Sequence, residues 1–327
     1  MTRIAIVGAG LSGLVVARRL QELADVIVFE KSRGTGGRMA TRYAGDFEFD
    51  HGAQFFTART DRFRSFLEPL IEDGIVASWN PAFVEFDRTD ITSSRLWDEN
   101  HPHYVGVPRM NSIAKALASE LTVETGTTIS SVDRRSNGWM LSHENGPSGP
   151  FDWLVFTAPA AQTGELAKAN PGLATFIGDR QMLGCYAMML GFDAPVELGW
   201  QAAMVRNADI SWVSVNSSKP GRNDSCTMVV HSTNAWAEAH LEEDTDSVLQ
   251  QMLDEASRVT GHDLRRASHR NVHRWRYANI PKQAGASHYI DTQNTIAACG
   301  DWCIHGRIEA AFTSACDLAE SLKAKLQ

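Results

Sequence analysis

The 327-residue chain has few of the features that mark secreted, membrane or nucleic-acid-binding proteins. It carries five cysteines, Cys185, Cys226, Cys299, Cys303 and Cys316, an odd number at no disulfide-like spacing. This argues against a disulfide scaffold and for reduced thiols. Three residues separate Cys299 from Cys303, but no second Cys/His pair follows at zinc spacing, so no metal site is expected. No apolar run approaches the length of a bilayer span, and no membrane association is expected. The first apolar strand begins by Arg3, which leaves no room for a cleaved leader, so the expected location is the cytoplasm. Positive charge is not in excess: 31 Lys and Arg face 39 Asp and Glu, a net charge of −8. General nucleic-acid binding is therefore not expected. There is no internal repeat, no low-complexity tract, no nucleophile elbow, no Ser/His/Asp order and no paired-carboxylate site that demands a role.

What is there begins at the fourth residue. Ile4-Ala5-Ile6-Val7 is a short apolar run, as a buried parallel strand requires. Gly8 permits a tight turn out of it, Gly10 lets backbone approach a pyrophosphate, and Gly13 lets the next helix pack close to the strand. Leu11, Leu14, Val15, Leu20 and Leu23 fall mostly at helical spacing. The helix N-terminus offers N–H groups and a positive dipole end to phosphates. A second strand, Val26-Ile27-Val28-Phe29, ends at Glu30, whose carboxylate can accept hydrogen bonds from ribose hydroxyls and would repel a 2′-phosphate. Strand, glycine turn, helix and acid together point to a dinucleotide.

The bulk numbers, 43% hydrophobic and 21% charged residues, suit a globular enzyme, and the length suggests two domains. Residues 61–73 read as a helix with Phe63, Phe66, Leu67 and Leu70 on one face. A polar, irregular stretch follows at 87–104, and Tyr104-Val105-Gly106-Val107-Pro108 leads into a helix over 111–121. Strands are expected at 123–125, 129–135, 139–143 and 153–156, with Asn137-Gly138 as a hairpin turn. Further strands fall near 185–192, 210–215, 227–232 and 267–275, with a helix at 245–260. The chain closes with a strand over 295–298 and a helix over 307–326, with Phe312, Ala315, Ala319, Leu322 and Leu326 inward. Between those two stands a late signature, Ala298-Cys299-Gly300-Asp301.

These segments, in this order, resemble the flavin amine oxidase superfamily. Gly36-Gly37-Arg38-Met39-Ala40-Thr41 resembles its Gly-Gly-Arg motif, whose arginine contacts the FAD pyrophosphate. The fuller pattern has an arginine two residues before the glycine pair, where this chain has Gly34. Asp50-His51-Gly52-Ala53-Gln54 resembles the segment beside the flavin ring. Gly300-Asp301 resembles the motif whose Asp binds the ribityl chain. The short length, the Phe49-to-Thr57 segment and His273-Arg274-Trp275-Arg276-Tyr277-Ala278 look most like the renalases, particularly bacterial ones. The resemblance implies an α/β fold, a Rossmann-like FAD-binding domain of the amine-oxidase type with an inserted α+β substrate domain. The expected division is 1–65, 104–165 and 292–327 for FAD, and 66–103 and 166–291 for substrate. Candidate cofactor contacts are Gly8, Gly10, Leu11, Ser12, Gly13, Glu30, Lys31, Gly36, Gly37, Arg38, Met39, Gln54, Phe55, Ile129, Thr157, Pro159, Gly300, Asp301, Arg307, Ile308 and Ala311. The N-terminus of the last helix, near Arg307 to Ala310, could aim N–H groups at charge developing on the flavin. Noncovalent FAD is implied, although spacing alone leaves attachment through Cys299 or Cys303 open.

Renalases, as the resemblance implies, oxidise 2- and 6-dihydro isomers of NAD(P)H to NAD(P)⁺ and pass the electrons to oxygen as hydrogen peroxide. A dihydronicotinamide expels hydride without a general base and needs only placement near the flavin. Candidate substrate contacts are Phe56, Thr57, Trp275, Arg276, Tyr277, Trp302 and His305, with Trp236 and His231 as further possibilities. Residues 258–276 hold Arg258, Arg265, Arg266, Arg270, Arg274 and Arg276 around a single acid, Asp263. That reads either as a positive field for a phosphate-bearing substrate or as a solvated face. The alternatives are an amine oxidase on the same fold, a flavin-free escort of the GDP-dissociation-inhibitor type, and a plain NAD dehydrogenase.

Overall fold

The computed structural model describes residues 1–326 and divides into two compact units, each discontinuous in sequence. The first comprises Met1–Gly37, Ile113–Met182 and the chain from Asn279 onward, the second Arg38–Ser112 and Leu183–Ala278.

In the first unit the opening strand, Arg3–Val7, lies inside a six-stranded sheet. It pairs in parallel with Asp25–Glu30 on one side and Trp153–Phe156 on the other. Thr122–Thr125 and Ile296–Cys299 extend the sheet in parallel, and His288–Asp291 closes one edge antiparallel. Ile4, Ala5 and Ile6 have no exposed surface, as continuous apolar strands in a covered parallel sheet require. Helices Leu11–Leu20 and Ile308–Leu326 pack together, and the Ser12 hydroxyl donates to the Ala311 carbonyl at 2.9 Å. Sequence positions 299 residues apart are thus adjacent. The expected hairpin at Asn137-Gly138 joins Ser131–Arg135 to Gly138–His143. A third strand beside it, Gly146–Phe151, was not expected. Its two glycines and two prolines carry no strand propensity, and the strand lies at the edge of its sheet, where proline is tolerated.

The second unit is built on a seven-stranded sheet in the order His269–Asn279, Leu183–Phe192, Cys226–Ser232, Ile210–Val215, Ala202–Arg206, Ala82–Asp87, Asp90–Leu96. Helix Thr245–Thr260 covers it with Val248, Met252, Leu253, Ala256 and Val259, against Tyr186, Met188, Leu190, Met228 and Val230. Asp244 caps the helix start by accepting from the Asp246 and Ser247 amides. Gly261 ends it at φ +70°, the left-handed cap that glycine takes most readily.

The boundaries and several elements differ from expectation. Segments 38–65 and 104–112 belong to the second unit, because Phe47–Asp50 lays Phe49 against Met189 and Val229, and Tyr104–Gly106 pairs with Val76–Ser78. Segments 166–182 and 279–291 belong to the first, since His288–Asp291 completes its sheet. The stretch read as irregular contains the strand Asp90–Leu96. It is an edge strand exposed on both faces, so it shows no alternation of apolar residues.

Candidate functional site

Two clusters carry the candidate residues, one in each unit. In the first, the Gly8–Gly13 turn leaves the sheet with Gly8 at φ +113°, and the Gly8 amide donates to Phe29 O at 2.8 Å. A Cβ on Gly13 would lie 2.0 Å from the Gly8 carbonyl oxygen, so that glycine is required by helix-to-strand packing. Gly10 is different. A Cβ there would meet nothing within 4 Å, so packing does not explain the glycine and the space before it is open. The Gly36 amide donates to Ala9 O at 2.9 Å and brings the Gly36-Gly37 pair beside the turn. Glu30 is buried and accepts from the Ala9 amide at 2.9 Å and the Ser32 amide at 2.8 Å. Its carboxylate therefore fixes the turn and keeps lone pairs for a ligand's hydroxyls. Thr157 donates to Val7 O and Gly8 O, pinning the far side. Ile129 is buried and Lys31 exposed; Pro159 precedes helix Ala160–Leu166.

At the other end of the chain, Gly300 and Asp301 leave the strand Ile296–Cys299. A Cβ on Gly300 would lie 2.6 Å from the Trp302 indole. The buried Ser314 hydroxyl accepts from the Gly300 amide at 2.9 Å and donates to Ser287 O, which holds the turn from behind. Asp301 is buried and its carbonyl accepts from the His305 amide at 2.7 Å. The chain then enters helix Ile308–Leu326, whose first-turn amides have no intrahelical acceptor. An open glycine cradle, two helix N-termini, a buried acid at a strand end and a second buried acid fit a nucleotide with a polyhydroxyl arm.

In the second unit, Arg38 reaches Ala278 O at 3.1 Å through Nη1, and its carbonyl accepts from the Ala53 amide. A Cβ on Gly52 would lie 1.9 Å from that carbonyl oxygen, so the approach of the two segments requires glycine. Behind lies a buried ionic cluster. Arg222 donates to Asp50 Oδ2, and Lys219 Nζ lies 3.6 Å from the same oxygen. Asp50 also accepts from Thr41 Oγ1 at 2.8 Å and from the Met110 amide at 3.0 Å. Burial opposes ionisation of Asp50, but Lys219 and Arg222 hold its carboxyl below the usual range. Lys219 has no exposed side chain, and burial brings its ammonium down to about 7. Alongside, the His51 ring stacks on Trp275 at 5.0 Å, and His273 meets both rings edge-on. Burial lowers His51 to about 3 and His273 to about 4, with neighbouring cations adding to it, so both are neutral at pH 7.

A model described as "Flavin containing amine oxidoreductase" matches residues 77–322, and one described as "NAD(P)-binding Rossmann-like domain" matches residues 6–70. The chain belongs to the flavin-containing amine oxidoreductases. Renalase of Mus musculus is 21% identical over 352 residues, covering 99% of each chain. Among solved structures, a candidate protoporphyrinogen oxidase from Exiguobacterium sp. 255-15 superposes with TM-score 0.77 at 13% identity, covering 99% of each chain. A conjugated-linoleic-acid-producing fatty acid isomerase from P. acnes gives 0.72 at 11% identity, covering 98% of each. At these identities the structural likeness fixes the fold alone, and an isomerase among the neighbours shows that this fold does not set the substrate.

This flavin oxidoreductase uses FAD, and its Rossmann-like first unit and α/β class are as the resemblance implied. Several expectations about side chains need correction. Trp302 has no exposed surface; it donates to Ala158 O at 3.0 Å and meets Phe176 edge-on, so it backs the Gly300 turn as core. Phe56 is buried against Phe63 and Tyr104. Arg276 is exposed and paired with Glu242. Half of the arginines of residues 258–276 are matched, because Glu255 binds Arg258, Asp254 binds Arg265 and Glu242 binds Arg276. Counting acids only within the segment missed partners brought in by folding. Trp236 stacks on His240 at 4.1 Å. Phe55 packs with Trp97, His103 and Trp212. Thr57, Tyr277 and His305 are half-buried. Cys299 and Cys303 are buried thiols, the latter pushed up to about 12 by burial, and neither is poised to attack a flavin. Among the described residues no cluster could hold a metal, and no helix is long and apolar enough to cross a membrane. Sequence reasoning missed Lys219, Arg222, Asn216 and Ser214. The run Ser217-Ser218-Lys219-Pro220-Gly221-Arg222 reads as an ordinary polar turn, and nothing in it names a partner.

Proposed function

We propose that this flavin oxidoreductase oxidises 2- and 6-dihydro isomers of NAD(P)H to NAD(P)⁺, with dioxygen as the final acceptor and hydrogen peroxide as product. The observation that carries the reading is the Trp275–His51–His273 cluster, aromatic and uncharged at neutral pH, with Trp275 stacked on the buried His51 and His273 edge-on to both. Its half-buried members, Trp275 and His273, suit a neutral dihydronicotinamide ring. The full-length match to mouse renalase supports the same substrate class. The substrate's ring carbon gives up hydride, its nitrogen lone pair completes the aromatic pyridinium, and no side chain need remove a proton. FAD, when bound, would supply the two-electron acceptor between substrate and dioxygen; the hydride and one proton from solvent balance the hydrogen peroxide formed. The chain's own part is binding and orientation. Gly8, Gly10, Leu11, Ser12, Gly13, Glu30, Lys31, Gly36 and Gly37 would hold the adenosine diphosphate half. Ile129, Thr157, Pro159, Gly300, Asp301, Arg307, Ile308 and Ala311 would hold the ribityl side; Arg38, Met39, Gln54 and Phe55 are the remaining candidate contacts. Attachment is noncovalent in this reading, which the burial of Cys299 and Cys303 supports.

An amine oxidase is the second reading, favoured by a putrescine oxidase among the structural neighbours, with TM-score 0.72 and 13% identity. A cationic amine would need an uncommitted anion, whereas Asp50 in the buried cluster already faces Lys219 and Arg222. Anaerobic mixing of the yellow protein with the dihydro isomers and, separately, with simple amines decides between them. Bleaching by the dihydro isomers is expected; bleaching by amines only would sink the proposal.

A further inference from the structure

We propose that Lys219 is a positioning residue: it fixes the polarity of a buried hydrogen-bond chain that runs through Gln54 to His231, beside the His51 backbone whose carbonyl holds the Trp275 indole. The functional half of this inference rests on the reading of the Trp275–His273 cluster as the substrate surface.

An ammonium group can only donate. Lys219 Nζ lies 2.9 Å from Asn216 Oδ1 and 3.1 Å from Gln54 Oε1, and the Ser214 hydroxyl donates to the same Gln54 oxygen at 2.9 Å. The Gln54 amide therefore has one orientation, since a flip would set its NH₂ against the ammonium. Its nitrogen points the other way, with two hydrogens for three acceptors, Asp50 O, Gly52 O at 3.0 Å and His231 Nε2 at 3.4 Å, the last a shared contact. That makes His231 Nε2 an acceptor and puts the imidazole proton on Nδ1. His231 lies beside the His51 backbone, whose carbonyl accepts from Trp275 Nε1 at 2.9 Å. The same cation orients Asn216, whose oxygen takes Lys219 and whose nitrogen donates to Glu48 O at 3.0 Å. Burial and the charge of Lys219 hold His231 at about 4, so the ring stays neutral and keeps its direction. One side chain thus sets two amides and one imidazole. A buried ion cluster is a poor source of stability, and its best-attested use is to specify a single arrangement.

The test uses the FAD-loaded full chain labelled with ¹⁵N-histidine, with His231→Asn to assign the resonance. Parent protein is expected to show His231 as the neutral Nδ1–H tautomer across pH 5–6, where Lys219 is an ammonium. Lys219→Met should give a mixture of tautomers and cut kcat/KM for flavin reduction by dihydronicotinamides by about tenfold, which corresponds to about 1.4 kcal/mol. Gln54→Glu keeps a partner for Lys219, and so guards against a folding failure of the first variant. It sets a carboxylate against His231 Nε2 and should raise that imidazole above pH 6. An unchanged His231 spectrum in both variants overturns the chain. Altered tautomers with unaltered reduction rates overturn the positioning role. If dihydronicotinamides do not reduce even the parent protein, the proposed function falls, and the tautomer readout still decides the chain.

Discussion

The two units present their candidate groups by opposite means. In the first, backbone does the work: glycine turns and helix ends are placed by strand order, and few side chains point at the site. In the second, the same task falls to side chains buried together, a carboxylate between two cations and a set of neutral imidazoles. Backbone sites tolerate changes of side chain but not of Cβ; side-chain clusters tolerate changes of volume better than changes of charge.

The glycines give the largest expected effects. Gly13 lies inside helix Leu11–Leu20, where helix propensity alone favours alanine by about 1 kcal/mol. The clash with the Gly8 carbonyl decides the opposite sign, and Gly13→Ala should destabilise the protein by about 3 kcal/mol. Gly10→Ala should behave differently. Its φ of −74° and open surroundings accept a methyl, so the melting temperature of the apoprotein should barely move while FAD affinity falls at least about tenfold. Thermal melts with and without added FAD check both. Equal losses of stability in the two variants would erase the distinction between packing and ligand glycines.

This contrast explains what was legible. Gly8, Gly13, Glu30 and Gly300 are local signals, each set by its own turn or strand end, and Gly10 belongs to the same short motif; the sequence shows them directly. Lys219 reads as an ordinary surface lysine until folding sets it 3.1 Å from Gln54, 165 positions away. Arg276 reads as a candidate phosphate contact until Glu242 arrives from a different element. Strand Gly146–Phe151 was hidden by its prolines and strand Asp90–Leu96 by its exposure. Pairings set by long-range topology leave no trace in local composition.

An intermediate effect should appear with pH, and it belongs to the second unit. His51, His231 and His273 sit at about 3, 4 and 4 in the folded chain, lowered first by burial, against 6.5 unfolded. Between pH 6.5 and 4 the unfolded chain binds more protons, so stability falls as pH drops through that window. Each group contributes a slope of about 1.4 kcal/mol per pH unit at most. Lys219 adds nothing there, being charged in both states below about 7. A series of melts from pH 8 to 4 should bend downward below 6.5, and His273→Asn should flatten the bend. Superimposable pH profiles for parent and variant would show that the imidazoles are not held neutral by the fold.

The smallest effect is expected at Arg276, the residue the sequence most favoured for substrate charge. Its guanidinium and the Glu242 carboxylate meet at 2.6 Å on an exposed surface, where ion pairs add little and salt screens them. Arg276→Ala should leave the melting temperature within error and change KM for a dihydronicotinamide dinucleotide by less than about twofold. The measurement is most telling at low ionic strength, where a long-range field would show itself. A KM that rises several-fold there and recovers in Arg276→Lys would return charge steering to this face. It would then break the contrast drawn above, because a solvated side chain of the second unit would be contributing to recognition without being buried in its network.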